Sequence, residues 1–341
     1  AVVTLLFDAI RLAYLIRSAY RLNPNIKIAR RYLDRRDLTK LFGYSFYAFA
    51  IVMGRQLIFY TDSIVIGLFL GTAMVTLYFV ASRLVLYLRL LVSEMVGVLM
   101  PTTSDLGARD DQDGIRELLV ISTKYMLLIA FPVAAVFFSI GGTFIALWMG
   151  PEYTSSTSVL TLLTIAMLAH FMEMPAHTVL LGLCKHRVVA LFTLFQAVVN
   201  LGLSIILVRK MGIVGVALGT TIPMVGFTAV ALVVYFRGFL KLPLGEYLRR
   251  SCIGPILVQI PFIAALILIV NWRPPASLVS FFSEIGLALI PYSVVVLATC
   301  VSRNERMIFL RALQKFGFKL APRLGGTRQA VSVPVGTSYV K

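Results

Sequence analysis

LFGYSFYAFAIVMGRQLIFYTDSIVIGLFLG, residues 41–71, decides the fold class. It is apolar over almost its whole length, and about 20 such residues are enough to cross the hydrocarbon of a bilayer. Yet Arg55 and Asp62 stand inside it. An ionised side chain near the bilayer centre costs roughly 2.5–3.5 kcal/mol on insertion scales, so both should face a bundle interior or a wet cavity. At about 100° per residue, seven residues return to within about 20° of the same helix face. They also advance about 10 Å along the axis, too far for direct contact within one straight helix. Each charge is therefore expected to meet water or a partner on another helix.

Similar runs recur along the chain. Of its 341 residues 59% are hydrophobic, and the mean hydropathy is +0.89. Soluble domains lie nearer half apolar, so the composition describes a polytopic, all-α membrane protein. The short alternating segments of a membrane β-barrel do not occur. After a first apolar stretch interrupted by Asp8 and Arg11, eight spans are expected, at about 42–70, 74–100, 125–148, 159–183, 188–208, 213–236, 252–271 and 281–301. The first stretch lacks the basic region and cleavage site of a signal peptide. It reads as the tail of a helix.

The net charge of +17 would suit nucleic acid in a soluble protein, but membrane proteins gather Lys and Arg in cytoplasmic loops. Twenty-four basic residues fall on one side of the expected spans, and only Arg209, Lys210 and Arg273 on the other. This places the basic loop 20–41 and the C-terminus in the cytoplasm. Residues 237–250 (RGFLKLPLGEYLRR) and 306–320 (RMIFLRALQKFGFKL) mix apolar and basic residues, as segments lying on a membrane do. A solvated tail fits the second equally well. Cys184, Cys252 and Cys300 have no metal-ligand spacing and read as small packing residues.

The next span, LYFVASRLVLYLRLLVSEM, carries Arg83 and Glu94 on one face, with Arg89 pointing elsewhere. Two readings stand: a buried ion-pair network that fixes helix register, or a cationic cavity for an anionic group. Arginine suits phosphate because its planar fork donates two hydrogen bonds at once. In LAHFMEMPAH, His170, Glu173 and His177 share one face. That spacing could serve a metal, but no fourth ligand is evident. A cavity-lining or pH-sensitive role, or packing, remains open. Pro175 should bend this helix. Gln196, Asn200 and Gln259 read as interhelical glue, and Gly212, Gly215 and Gly219 as a close-packing stripe.

DSIVIGLFLGTAMVTLYFVASRLVLYLRLLVSEMVGVLMPTTSDL resembles the seventh and eighth helices of polysaccharide and lipid-linked oligosaccharide flippases. These belong to the MATE-like exporter superfamily, with O-antigen (Wzx-type) flippases and the lipid II flippase among its members. Asp62-Ser63, Gly71, Leu77-Tyr78, Ala81, Arg83-Leu84 and Pro101 carry the likeness. LWMGPEYTSS (147–156) and MGIVGVALGT (211–220) extend it to roughly residues 40–300. Arg83 matches a cavity-facing arginine of the lipid II flippase; the family's Asp before it is Ser82 here.

The resemblance implies two six-helix lobes around a central cavity, of which this chain carries the C-terminal one. Residues 1–19 would then be the last helix of the other lobe and 20–41 a basic cytoplasmic linker. The transporter lobe would be 42–236, followed by an interfacial loop at 237–250, two additional transmembrane helices at 251–302 and a basic cytoplasmic tail at 303–341. The implied function is transport, not enzymatic: flipping of polyprenyl-pyrophosphate-linked oligosaccharide by alternating access for polysaccharide or lipopolysaccharide biosynthesis. Arg55 and Arg83 would attract the pyrophosphate. Asp62, Glu94, His170, Glu173 and His177 would support them, holding the arginines or exchanging protons. No cofactor, metal or nucleic acid is implied. Partners would be membrane lipids and the polysaccharide polymerase machinery, in a bacterial inner membrane. A cation-coupled drug exporter and a membrane-embedded glycosyltransferase or ligase are the rival readings. The first should prefer acidic and aromatic cavity residues, and the second a large external loop.

Overall fold

The computed structural model describes residues 2–22, 35–240, 243–272 and 274–301. Most of the linker at 20–41, Arg273 and the whole basic stripe of the tail lie outside the described residues. Every element is helical: α1 Val2–Leu22, α2 Arg35–Leu70, α3 Thr72–Ser93, α4 Leu99–Ala108, α5 Gln112–Met149, α6 Thr157–Gly182, α7 His186–Tyr235, α8 Leu244–Leu248, α9 Gly254–Trp272 and α10 Leu278–Thr299. No strand occurs among the described residues, which is the all-α polytopic bundle the composition calls for.

Among the described residues, seven helical stretches are long and apolar enough to cross a membrane. The longest, His186–Phe239, doubles back on itself. At Gly212 the backbone leaves helical geometry (φ 59°, ψ −138°). A Cβ on Gly215 would stand 2.2 Å from the Leu207 carbonyl oxygen, and one on Gly219 2.6 Å from the Ser204 backbone. The two arms are therefore an antiparallel hairpin, and the glycine stripe is where they touch. Counted this way, the described residues hold eight apolar helical segments of spanning length, the number expected from hydropathy.

The corners obey a simple rule. Gly71, Gly150 and Gly212 all have positive φ, and Gly212 lies beside Leu70. Alternate corners thus share one end of the bundle, and each turns on a glycine. The corners at the other end turn on Asp110 (φ 55°) and Cys184 (φ 58°). Cys184 is exposed, so it shapes a corner and does not fill a core as the sequence reading expects. Asp111 caps α5, accepting from the Gly114 amide at 2.8 Å. The hydrophilic segment 101–124 is accordingly helical except for a short reversal between α4 and α5.

The expected single span at 74–100 is broken. Glu94–Val98 is a 3-10 segment between α3 and α4. Gly97 is a weak helix former, and the ring of Pro101 displaces the carbonyl of Gly97, its partner four residues back.

The chain forms two compact units, Ala1–Cys252 and Ile253–Lys341. In the first, α2, α5, α6 and α7 pack around Ile66, Leu88, Leu127, Ile145, Leu160 and Phe171, all fully buried. Glycines set the closest approaches: a Cβ on Gly54 of α2 would meet a Thr193 methyl of α7 at 2.8 Å. Small residues let helix backbones touch where hydrophobicity alone gives no preference for helix over lipid. Segment 237–250 is not a purely surface-lying piece, because Tyr247 is fully buried in the first unit. In the second unit, α9 packs on α10 through Phe262 and Tyr292, with ring centroids 5.5 Å apart. The Gln259 amide donates to the Tyr292 hydroxyl at 3.0 Å, the interhelical role expected of it.

Candidate functional site

Two adjoining clefts open in the first unit, and α2 lines both. The larger, about 320 Å³, lies between α2, α3, α6 and the second arm of α7. Asp62, Ser63, Tyr78, Ser82, Arg83, Arg89 and Thr220 supply its polar lining. The smaller is lined by Arg55, His170, Glu173, His177, Thr193 and Gln196. Phe59 and Met224 border both.

Asp62 is buried. Its Oδ2 accepts hydrogen bonds from the Tyr78 hydroxyl and, at 2.9 Å, from the Thr220 hydroxyl. Among the described residues no cation pairs with it, and its Oδ1 has no partner. Asn200, through both amide atoms, and Ser204, through its hydroxyl, share this buried and unpartnered state. Arg83 lies over the Phe79 ring at 4.5 Å and Arg89 over the Phe59 ring at 4.1 Å. Cation–π contact steadies a guanidinium without neutralising it, and neither arginine has a carboxylate partner among the described residues.

In the smaller cleft, Arg55 Nη2 lies 3.5 Å from His177 Nε2. The Thr228 hydroxyl donates to Glu173 Oε2 at 3.0 Å. His170 meets Phe59 edge-on, with ring centroids 5.9 Å apart. No three His, Cys, Asp or Glu side chains among the described residues are grouped to hold a metal.

The seven residues singled out from sequence separate into three places. Arg83 and Asp62 share the larger cleft. Arg55, His170, Glu173 and His177 share the smaller. Glu94 joins neither: it is exposed at the start of the 3-10 segment, where the α-helical step that put it in line with Arg83 ends. Asp62 does not hold an arginine either. A buried carboxylate needs donors, and here two hydroxyls supply them. Arg89, expected to point away, faces the same cleft as Arg83. The lining face of α3 runs through Phe79, Ser82, Leu86 and Arg89, and it is broad enough for long side chains to enter from both flanks. Tyr78 and Thr220 were legible only as parts of the family-like stretches, and Thr228 carried no signal.

The fold and site together define a multi-pass membrane helical bundle with arginines held ready inside it. A family model for polysaccharide biosynthesis proteins matches residues 2–158. A probable low-salt glycan biosynthesis flippase of Haloferax volcanii is 24% identical over 187 residues, which cover 55% of this chain and 40% of the relative. The probable flippase AglR of the same organism is 24% identical over 278 residues, 80% of this chain and 57% of the relative. The chain thus spans about half the length of the curated relatives it matches. These relatives are named as flippases, and the family match over residues 2–158 includes the helices around Arg83 that carry the resemblance.

Proposed function

We propose that this chain works as part of a glycan flippase, a transporter that moves polyprenyl-pyrophosphate-linked oligosaccharide across a membrane by alternating access. The observation that carries the reading is the pairing of Arg83 and Arg89 in one cleft without a carboxylate partner among the described residues. Asp62, the one acid lining that cleft among the described residues, already accepts two hydroxyl donors. A cleft so built favours an anion, and pyrophosphate suits bidentate guanidinium. It disfavours the cationic substrates of a drug exporter. Arg55, in the adjoining cleft beside His177, would meet the same group as it moves along α2. The unpartnered Asp62 Oδ1 and the buried Glu173 are the groups suited to a coupling proton.

In this reading the protein is a transporter and not an enzyme, and no cofactor takes part. It resides in a bacterial inner membrane with its C-terminus in the cytoplasm, and it works with lipids and the polysaccharide polymerase. The relatives named as flippases support the glycan-lipid substrate.

The test uses the complete open reading frame in a strain lacking its own oligosaccharide flippase. Surface polysaccharide and cytoplasmic-leaflet lipid-linked oligosaccharide are scored for the unmodified protein and for Arg83→Ala with Arg89→Ala. Restoration by the unmodified protein, and its loss in the double variant at equal membrane abundance, is the expected result. Restoration by both would reduce the arginines to packing parts. Failure of the unmodified protein with every matched oligosaccharide would overturn the reading.

A further inference from the structure

One buried group lies outside both clefts but touches the helix that builds the smaller one. Tyr247 belongs to the elbow between residues 243 and 252, and it is fully buried. Its hydroxyl donates to the Met172 carbonyl at 2.9 Å. Its single proton is thereby committed, so the Thr123 hydroxyl, 2.7 Å away, donates to it in turn. Its ring packs on Phe236 with centroids 4.3 Å apart. The elbow is fixed again three residues on, where Arg250 bonds to Glu117 of α5 at 2.5 Å.

The place where Tyr247 touches α6 matters. Pro175 lies three residues after Met172, inside the helix. A proline in mid-helix removes one backbone donor and pushes aside the carbonyls of the preceding turn. In a membrane those carbonyls must find other donors, commonly from neighbouring helices. The carbonyl that Pro175 leaves without its helical donor is that of Phe171; the Tyr247 hydroxyl donates to the next one, Met172, in the same turn. The turn before the proline is also the one that bears the cleft residues. Glu173 directly follows Met172, and His170 and His177 lie one turn or so to either side. His177, 3.5 Å from Arg55, follows Pro175 in the helix and His170 precedes it, so the face that meets Arg55 spans the proline.

We propose that Tyr247 is a positioning residue: the elbow is a strap that sets the bend of α6 at Pro175 and so holds the His170–Glu173–His177 face against Arg55. Release of the strap widens the smaller cleft without unfolding the bundle. The inference uses the flippase reading only for its consequence in transport; the geometry stands without it.

The test reads the cleft directly. The complete protein, in native membranes, carries Cys184→Ser, Cys252→Ala and Cys300→Ser, with Gln196→Cys as a reporter in the cleft. Ser155→Cys, at an exposed corner, serves as the control reporter. The rate of labelling by a small maleimide is compared with and without Tyr247→Phe, which keeps the ring and removes the hydroxyl. Loss of a hydrogen bond of ordinary strength should raise the rate at position 196 about fivefold and leave position 155 unchanged. Adding Pro175→Ala, which gives the Phe171 carbonyl its helical donor again and stiffens the same turn, should return the rate toward its starting value. No change at 196 on Tyr247→Phe overturns the proposal, as does an equal rise at both reporters, which would mean general loosening. A rise that Pro175→Ala does not reverse overturns the role of the proline. None of these outcomes depends on whether the protein flips glycan lipids.

Discussion

Asp62 shows how one buried charge is accommodated. It is buried and, among the described residues, pairs with no cation; Tyr78 and Thr220 direct hydroxyl groups at one oxygen and leave the other free. Removing the carboxylate strands both donors, and each unsatisfied buried group costs about 1–3 kcal/mol. Asp62→Leu is therefore expected to lower the thermal midpoint of the purified protein by several degrees, and Asp62→Asn, which keeps an acceptor, by clearly less. Equal loss in the two variants would mean that the hydroxyls find other partners. At this scale the sequence was half legible. That Arg55 and Asp62 need a polar setting follows from the cost of charge in hydrocarbon. Which partners they take does not, because a helical wheel orders residues around one axis and says nothing of the neighbour's side chains. Thr228 reaches Glu173 from a helix 55 residues away in sequence.

The elements are ended and bent by glycine and proline. Gly71 (φ 87°, ψ 171°) and Gly150 (φ 117°, ψ 157°) occupy a region of backbone space that is essentially closed to other residues. Gly150→Ala should cost about 1–3 kcal/mol on these grounds, aggravated by contact of the new methyl with the Glu152 carboxylate, 2.6 Å away. Gly226 is the contrast. It sits in regular helix with no atom within 4 Å of an added Cβ, so Gly226→Ala should be neutral or stabilise by up to about 1 kcal/mol. Thermal melting of the two variants side by side checks the pair. Span number and order were readable from hydropathy, since about 20 apolar residues define a crossing. The break at Glu94–Val98 was not, because Gly97 and Pro101 weaken a helix without fixing where it yields. The hairpin at Gly212 leaves the helical periodicity almost intact on both sides and interrupts it at one residue.

For the whole molecule, the lopsided distribution of Lys and Arg gives the orientation a direct test. Cys184 lies at a corner on the basic side and residue 155 at a corner on the other. With Cys252 and Cys300 replaced, Cys184 should react with an impermeant maleimide only in inverted vesicles. A cysteine placed by Ser155→Cys, in a background that also carries Cys184→Ser, should react only in intact cells. The reverse pattern would invert the topology and move the basic loops outside.

Composition alone settled that this chain lives in a membrane as a helical bundle, because burying so much apolar surface in water has no alternative solution at this length. Spacing of the runs anticipated the number of long apolar helical segments among the described residues. The tertiary structure decided everything that depends on two elements meeting. It divided the marked charges between two clefts, turned Arg89 into the same cleft as Arg83, left Glu94 outside, and drew Tyr247 from a segment expected at the surface into contact with α6 at Met172. The physical reason is the same each time. Hydrophobic periodicity records how strongly a face avoids or seeks polarity, whereas a binding cleft is made by distances between faces, and those are fixed by glycine contacts, proline bends and hydroxyl donors on other helices.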